Sequence, residues 1–227
     1  ALGYTMVYGV LGMINFAHGE VFMLGAYAGI LALAGGTALG VTAAHPLAAL
    51  AGAMLAAVLL CAAHGLAIER VAYRPLRRAH ALAPLISAIG VSIFLQNYLQ
   101  IAQGTDNKVF PHAVRTAFDP PAWWPSTDIP PVQAVILAVA LACMGALHLF
   151  VTRTRAGRAM RAVSQDPAMA SLSGVDVNRT VLGTFAMGSG LAAVAGVLVA
   201  LNYGSAQPFM GYQAGLKAFT AAVLGGI

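Results

Sequence analysis

Charged side chains are scarce in this sequence: they make up 8% of its 227 residues, against roughly 25% in an ordinary soluble domain, while 59% are hydrophobic. A soluble fold of this length could bury a sizeable core, but its surface would need far more charge than 12 Lys and Arg with 7 Asp and Glu supply. With a mean hydropathy of +0.79, the solvent is a bilayer. Cysteine is scarce too. Cys61 and Cys143 each sit inside an apolar stretch with no CxxC spacing, which excludes a disulfide framework or a cysteine metal site and marks both as small core residues. No GxxxxGK[ST] loop, GxGxxG turn, GxSxG elbow or HExxH pair occurs, so nucleotide chemistry and the familiar hydrolase sites are excluded from this chain. No basic leader with a short apolar stretch and cleavage site is seen, and the chain opens inside one hydrophobic segment and closes on another, as expected of a fragment.

What is present is a series of uncharged stretches near 1–14, 20–42, 45–68, 81–103, 132–151, 181–201 and 210–227. Most approach the ~20 residues a helix needs to cross a bilayer. They lack period-2 alternation and are rich in Ala, Leu and Gly, so helices are expected, not strands. The expected fold is an all-α integral membrane protein: residues 1–227 form one polytopic helical bundle with about 6–7 membrane segments. Three connections separate the later runs. ERVAYRPLRRAH at 69–80 and the 152–179 segment carry nine of the basic residues, Arg70, Arg74, Arg77, Arg78, Arg153, Arg155, Arg158, Arg161 and Arg179. The Pro-rich 104–131 segment has Lys108 and Arg115 against Asp106, Asp119 and Asp128, with Trp123 and Trp124 as interfacial anchors on a stiff, non-helical connection. The positive-inside rule puts 69–80 and 152–179 on the cytoplasmic side and 104–131 outside. Neither basic cluster interleaves with aromatics, so the +5 net charge sets orientation and no nucleic-acid partner is expected.

Small residues recur at helical spacing at Gly188, Ala192, Gly196 and Ala200 and at Ala28, Ala32, Gly36 and Gly40, which predicts close helix packing on those faces. Two charges fall inside membrane-embedded sequence, Glu20 and Lys217, and a charge in hydrocarbon costs at least about 2.5 kcal/mol, which makes both functional candidates. Against that stands a plainer reading, in which Glu20 starts a helix at the interface and Lys217 snorkels. The run Gly12 to Gly25, with Asn15, His18 and Gly19, predicts a break in helical continuity where backbone could line a cavity or form a kink. The His18-x-Glu20 pair resembles zinc deaminase sequence, but the PCxxC partner is absent, so no metal site is expected.

In the 152–179 segment, AGRAMRAV is helical, Asp166 and Pro167 form an N-cap and first-turn pair, and Gly174 sits where a short helix should end. Polar ends around Met169, Ala170 and Leu172 suit a surface helix that docks into a partner's groove, with a solvated connector as the alternative.

Five phrases in order, GYTMVYGVLGMINFAHGEVFMLGAY, ERVAYRPLR, LISAIGVSIFLQNY, GRAMRAVSQDPAMASLSGV and KAFTAAVLGGI, closely resemble the H-type permease of bacterial branched-chain amino-acid ABC importers, through nearly the whole chain. The resemblance implies an ABC importer permease fold with a cytoplasmic coupling helix, in the bacterial inner membrane, with no enzymatic activity and no cofactor of its own. The implied partners are membrane lipid, a second permease, two cytoplasmic ATP-binding subunits that hold the ATP, and a periplasmic binding protein delivering leucine, isoleucine or valine. It makes 152–179 the coupling loop, with Asp166, Pro167, Met169, Ala170, Leu172, Gly174 and Val175 contacting an ATPase, and 104–131 a periplasmic loop. Asn15, His18, Glu20 and Lys217 remain the translocation-path candidates. Related permeases for urea, short amides or other amino acids share NFAHGE-like sequence and form the alternative; an intramembrane enzyme or channel built on His18 and Glu20 is the reading from another class.

Overall fold

The hydrophobic runs become helices. In the computed structural model, which describes residues 1–13, 15–77, 79–80, 82–120 and 130–225, they are α1 (Leu2–Leu11), α2 (His18–Ala38), the short α3 (Val41–Ala44), α4 (Pro46–Ile68), α5 (Leu82–Gln103), the short α6 (His112–Thr116), α7 (Pro131–Arg153), α8 (Arg155–Gln165), α9 (Pro167–Leu172), α10 (Val177–Tyr203) and α11 (Met210–Leu224). Two short strands, β1 (Lys108–Val109) and β2 (Ser205–Ala206), pair antiparallel. Among the described residues, five helical runs are long and apolar enough to cross a membrane: α2, Pro46–Leu76, α5, α7 and α10. At 1.5 Å per residue the 21 residues of α2 cover about 31 Å, the thickness of a hydrocarbon core. Leu2–Leu11 is shorter and equally apolar.

The axis of the bundle is α10, packed between α2 and α4. Its expected small-residue row is buried: Gly188, Ala192, Gly196 and Ala200 face inward. Apolar side chains gain little by exchanging lipid for another helix, so backbone proximity supplies the attraction. On α2 the packing row is not the expected one. Ala28 and Ala32 are only half-buried and Gly40 is exposed, while Gly25 and Gly29 lie against α10. A Cβ at Gly25 would fall 2.5 Å from Ala193 Cα, and one at Gly29 2.7 Å from Val197 Cγ2. Cys61, fully buried on α4, donates to Val21 O at 3.5 Å, whereas Cys143 is half-buried and borders a cavity, so only Cys61 is a core residue. No residue of α7 is fully buried: Val132 packs against the core and Ile136, Val139 and Cys143 border the cavity beside α10, which leaves the rest of its circumference for lipid or another subunit.

Residues 69–76, assigned above to a loop, continue the α4 helix instead. Glu69–Tyr73 forms a π turn and Arg74–Leu76 a 3-10 turn. The reason is a buried ion pair: Glu69 is 1% exposed, and Arg77 Nη2 donates to its Oε1 while Nη1 donates to Asn178 Oδ1 at 2.9 Å. The charges of Glu69 and Arg77 therefore look inward, while Arg70 and Arg74 stay exposed. Removing one partner of such a pair strands the other, at about 3–5 kcal/mol. Arg77→Met is expected to lower the thermal midpoint of the purified permease accordingly, and Glu69→Leu in the same chain to recover most of the loss. A double variant no more stable than Arg77→Met would refute this.

The 104–131 connection is more ordered than a stiff non-helical strap. It contains β1 and α6, Phe110 N donates to Gly204 O at 2.9 Å, and Phe110 and Val114 are almost wholly buried. Trp123, Trp124 and Asp128 lie outside the described residues.

Candidate functional site

α1 ends at Leu11 and α2 begins at His18, so among the described residues of the Gly12 to Gly25 run those outside a helix are 12–13 and 15–17, a narrower interval than the whole run. Gly12, at φ 64°, is left-handed and ends α1, and α2 resumes at His18 with no side-chain cap. Asn15 organises the break. Its Oδ1 accepts from Ala17 N at 3.1 Å and from the Tyr73 hydroxyl at 2.9 Å, and its carbonyl accepts from His18 N at 3.1 Å. With 5% exposure and its carbonyl oxygens turned to protein donors, Asn15 ties the break to the π turn and does not line the cavity beside Glu20.

His18 and Glu20 lie on the first turn of α2, on either side of it. The His18 ring meets Tyr4 edge-on at 4.7 Å between centroids and lies over Gly3, where any Cβ would collide with it. It borders a largely apolar cavity of about 360 Å³ between α7, α10 and α11. Glu20, 1% exposed, borders a second cavity of about 230 Å³ between α2, α5 and α11. Its Oε1 accepts from Gln96 Nε2 at 2.8 Å and Ser92 Oγ at 3.2 Å, while Oε2 has no hydrogen-bond partner among the described residues. Its depth follows from packing. Gly25 contacts Ala193, and five residues are about 7.5 Å of helix, so Glu20 lies near the level of Gly188–Gly190, the midpoint of α10. A mid-bundle carboxyl is thus not the interfacial helix start of the plainer reading.

Lys217 is not brought to these residues. On α11 the face toward α2 is set by Gly211 and Gly215, which meet Gly19 backbone to backbone; Lys217 is exposed, two residues and therefore about 200° around the helix from Gly215. Ser92, Gln96 and Gly211 complete the Glu20 site and were not singled out from sequence. The signal for the first two was available, as polar residues four apart in an apolar run occupy one helix face.

At the end of the bundle bearing Arg77, α8 buries Gly157, Met160 and Val163 and exposes Arg155, Arg158 and Arg161. Asp166 then caps α9, its Oδ1 accepting from Ala168 N at 2.8 Å and Met169 N at 3.0 Å, with Pro167 in the first turn. Gly174, at φ 81°, closes the turn, and Val175 N donates to Ala170 O at 3.0 Å. Ala170 is buried beneath α9, while Met169 and Leu172 are 62% and 82% exposed. An apolar pair held outward by a capped helix is poorly matched to water.

A family model described as the branched-chain amino acid transport system permease component matches residues 1–227. The chain is 46% identical over its full length to the high-affinity branched-chain amino acid transport system permease protein LivH of Salmonella typhimurium, covering 73% of that protein. It is 45% identical to LivH of Escherichia coli, at the same coverage, and 46% identical to BraD of Pseudomonas aeruginosa, 74% of which it covers, again over its own full length. No solved structure matches.

Proposed function

Since this chain belongs to the family of branched-chain amino acid transport permeases, we propose that it is a membrane-spanning subunit of an ATP-driven importer for leucine, isoleucine and valine in a bacterial inner membrane. A second permease would complete the path, two cytoplasmic ATPases would supply the energy, and a periplasmic protein would deliver substrate. The observation that carries the mechanism is α9: a capped surface helix whose exposed Met169 and Leu172 sit in the connection between α8 and α10. A partner that binds this helix better in one conformation shifts the population between inward-open and outward-open states, which is how ATPase closure would drive alternating access. Asp166, Pro167 and Gly174 shape the helix, Ala170 and Val175 seat it, and Met169 and Leu172 would enter the ATPase groove.

The test is uptake of labelled leucine into vesicles holding the full-length permease, its partner permease, the ATPases and the binding protein. Uptake is expected to require ATP and every component. Vesicles that carry urea or a short amide but no leucine would assign the chain to another substrate, and uptake by the permease alone would make it a channel.

A further inference from the structure

We propose that the Glu20 carboxylate is the acceptor for the primary ammonium group of a hydrophobic amino acid crossing the membrane, which deepens the transport reading above and rests on it. Four observations converge on the cavity between α2, α5 and α11. First, Glu20 is 1% exposed near mid-bundle, and among the described residues no Lys, Arg or His lies within ion-pair distance of it. A buried carboxylate without a cation is strongly disfavoured in a bilayer.

Second, its two oxygens are treated differently. Ser92 and Gln96 from α5 hold Oε1, and Oε2 is left without a hydrogen bond. Two neutral donors on one oxygen fix the carboxyl's orientation and leave its other acceptor free, which is what capture of an N–H donor requires. Third, Oε2 is enclosed by protein and lies against Gly211, where a Cβ would fall 2.5 Å from that oxygen, so any side chain at 211 would take the space beside it. Fourth, the remaining wall is mostly apolar, with Ile89, Ile93, Leu216 and Phe219 beside Tyr4 and Tyr212, and the cavity of about 230 Å³ is on the scale of an amino acid and smaller than a drug-sized pocket. A cation-seeking carboxylate at one end and branched and aromatic surface along the wall describe an aliphatic amine with an apolar side chain. The competing account is a latch, in which Glu20 only ties α2 to α5.

The experiment uses the complete transporter in proteoliposomes and treats Glu20 in two ways. Glu20→Gln preserves the size and an acceptor for Ser92 and Gln96 but removes the charge, and it is expected to cut leucine uptake roughly tenfold or more. In the wild type, labelling of Glu20 by a hydrophobic carbodiimide, read by mass spectrometry, is expected to slow severalfold when leucine is present. The α-hydroxy analogue of leucine, which keeps the apolar tail and lacks the ammonium, is expected to give no protection. Undiminished uptake by Glu20→Gln, absence of labelling at Glu20, or equal protection by the α-hydroxy analogue would each overturn the assignment in favour of the latch. A wild-type complex that carries no leucine would instead sink the transport reading, and protection of Glu20 by other small primary amines would then still decide the site.

Discussion

Replacing Met169 and Leu172 together by Asp is expected to reduce ATP-dependent leucine uptake by the complete transporter to background. Both side chains stand out from the protein, at 62% and 82% exposure, so within this chain the exchange removes little packing. Asp166 and Gly174 still shape the helix, because the cap bonds run to backbone N–H groups at 168 and 169 that the exchange leaves in place. The loss falls on whatever covers α9. Central apolar anchors of an interface cost about 2 kcal/mol or more each when removed, so two together weaken docking by roughly a thousandfold, before the burial of two new carboxylates is counted. The measurement pairs uptake with pull-down of the ATPases and with the thermal midpoint of the purified permease. An unchanged midpoint with lost uptake and lost ATPase retention is the expected triad. Retained uptake would remove α9 from the mechanism, and a collapsed midpoint would mean that the exposed pair packs inside this chain after all.

Much of this architecture is legible in the sequence, because length and hydropathy locate a helix that must satisfy its backbone internally. The same physics hides which way each helix faces. In a soluble helix the polar side marks solvent, but α2 and α4 are apolar all round, so Ala28, Ala32, Gly36 and Gly40 looked as suitable for packing as Gly25 and Gly29, the pair that meets α10. Charge misleads for a related reason. Arg77 counted toward a solvated basic loop, yet it sits against buried Glu69, since an ion pair is invisible until the fold brings its halves together. Glu20 was recognisable as a charge in the wrong solvent, whereas its partners Ser92 and Gln96 lie 72 and 76 residues away and needed the packing of α5 against α2 to be found. Lys217 carried the same signal as Glu20 and points elsewhere, because a residue's depth along a helix says nothing of its azimuth. Local chemistry was the most readable: Asp166, Pro167 and Gly174 act within a few residues of themselves, so the start and stop of α9 follow from sequence alone.

Gly196→Val is expected to abolish the folded permease, and the reason separates glycines that pack from glycines that merely occur. A Cβ at 196 would collide with Phe22 O and fall 2.9 Å from Ala26 N, both backbone atoms of α2 that no rotamer change can move aside. Relief requires α2 and α10 to separate, which breaks the neighbouring contacts of Gly25 with Ala193 and Gly29 with Val197 along the same seam. Overpacking alone costs about 1–3 kcal/mol, and in lipid the lost close contacts are themselves the source of helix association, so the total reaches much of the roughly 5–15 kcal/mol by which a native protein is stable. The opposing effect is small: substituting a glycine within a helix gains at most about 1 kcal/mol of helix propensity. Gly145→Ala on α7 isolates that gain, since nothing lies within 4 Å of a Cβ there, and it should leave the thermal midpoint unchanged or slightly raised. Size-exclusion profiles and melting of the two variants in detergent check both. A monodisperse Gly196→Val protein with a wild-type midpoint would mean that α2 and α10 are not held together by this seam, and the placement of Glu20 beside α5 and α11 would lose the packing that sets it.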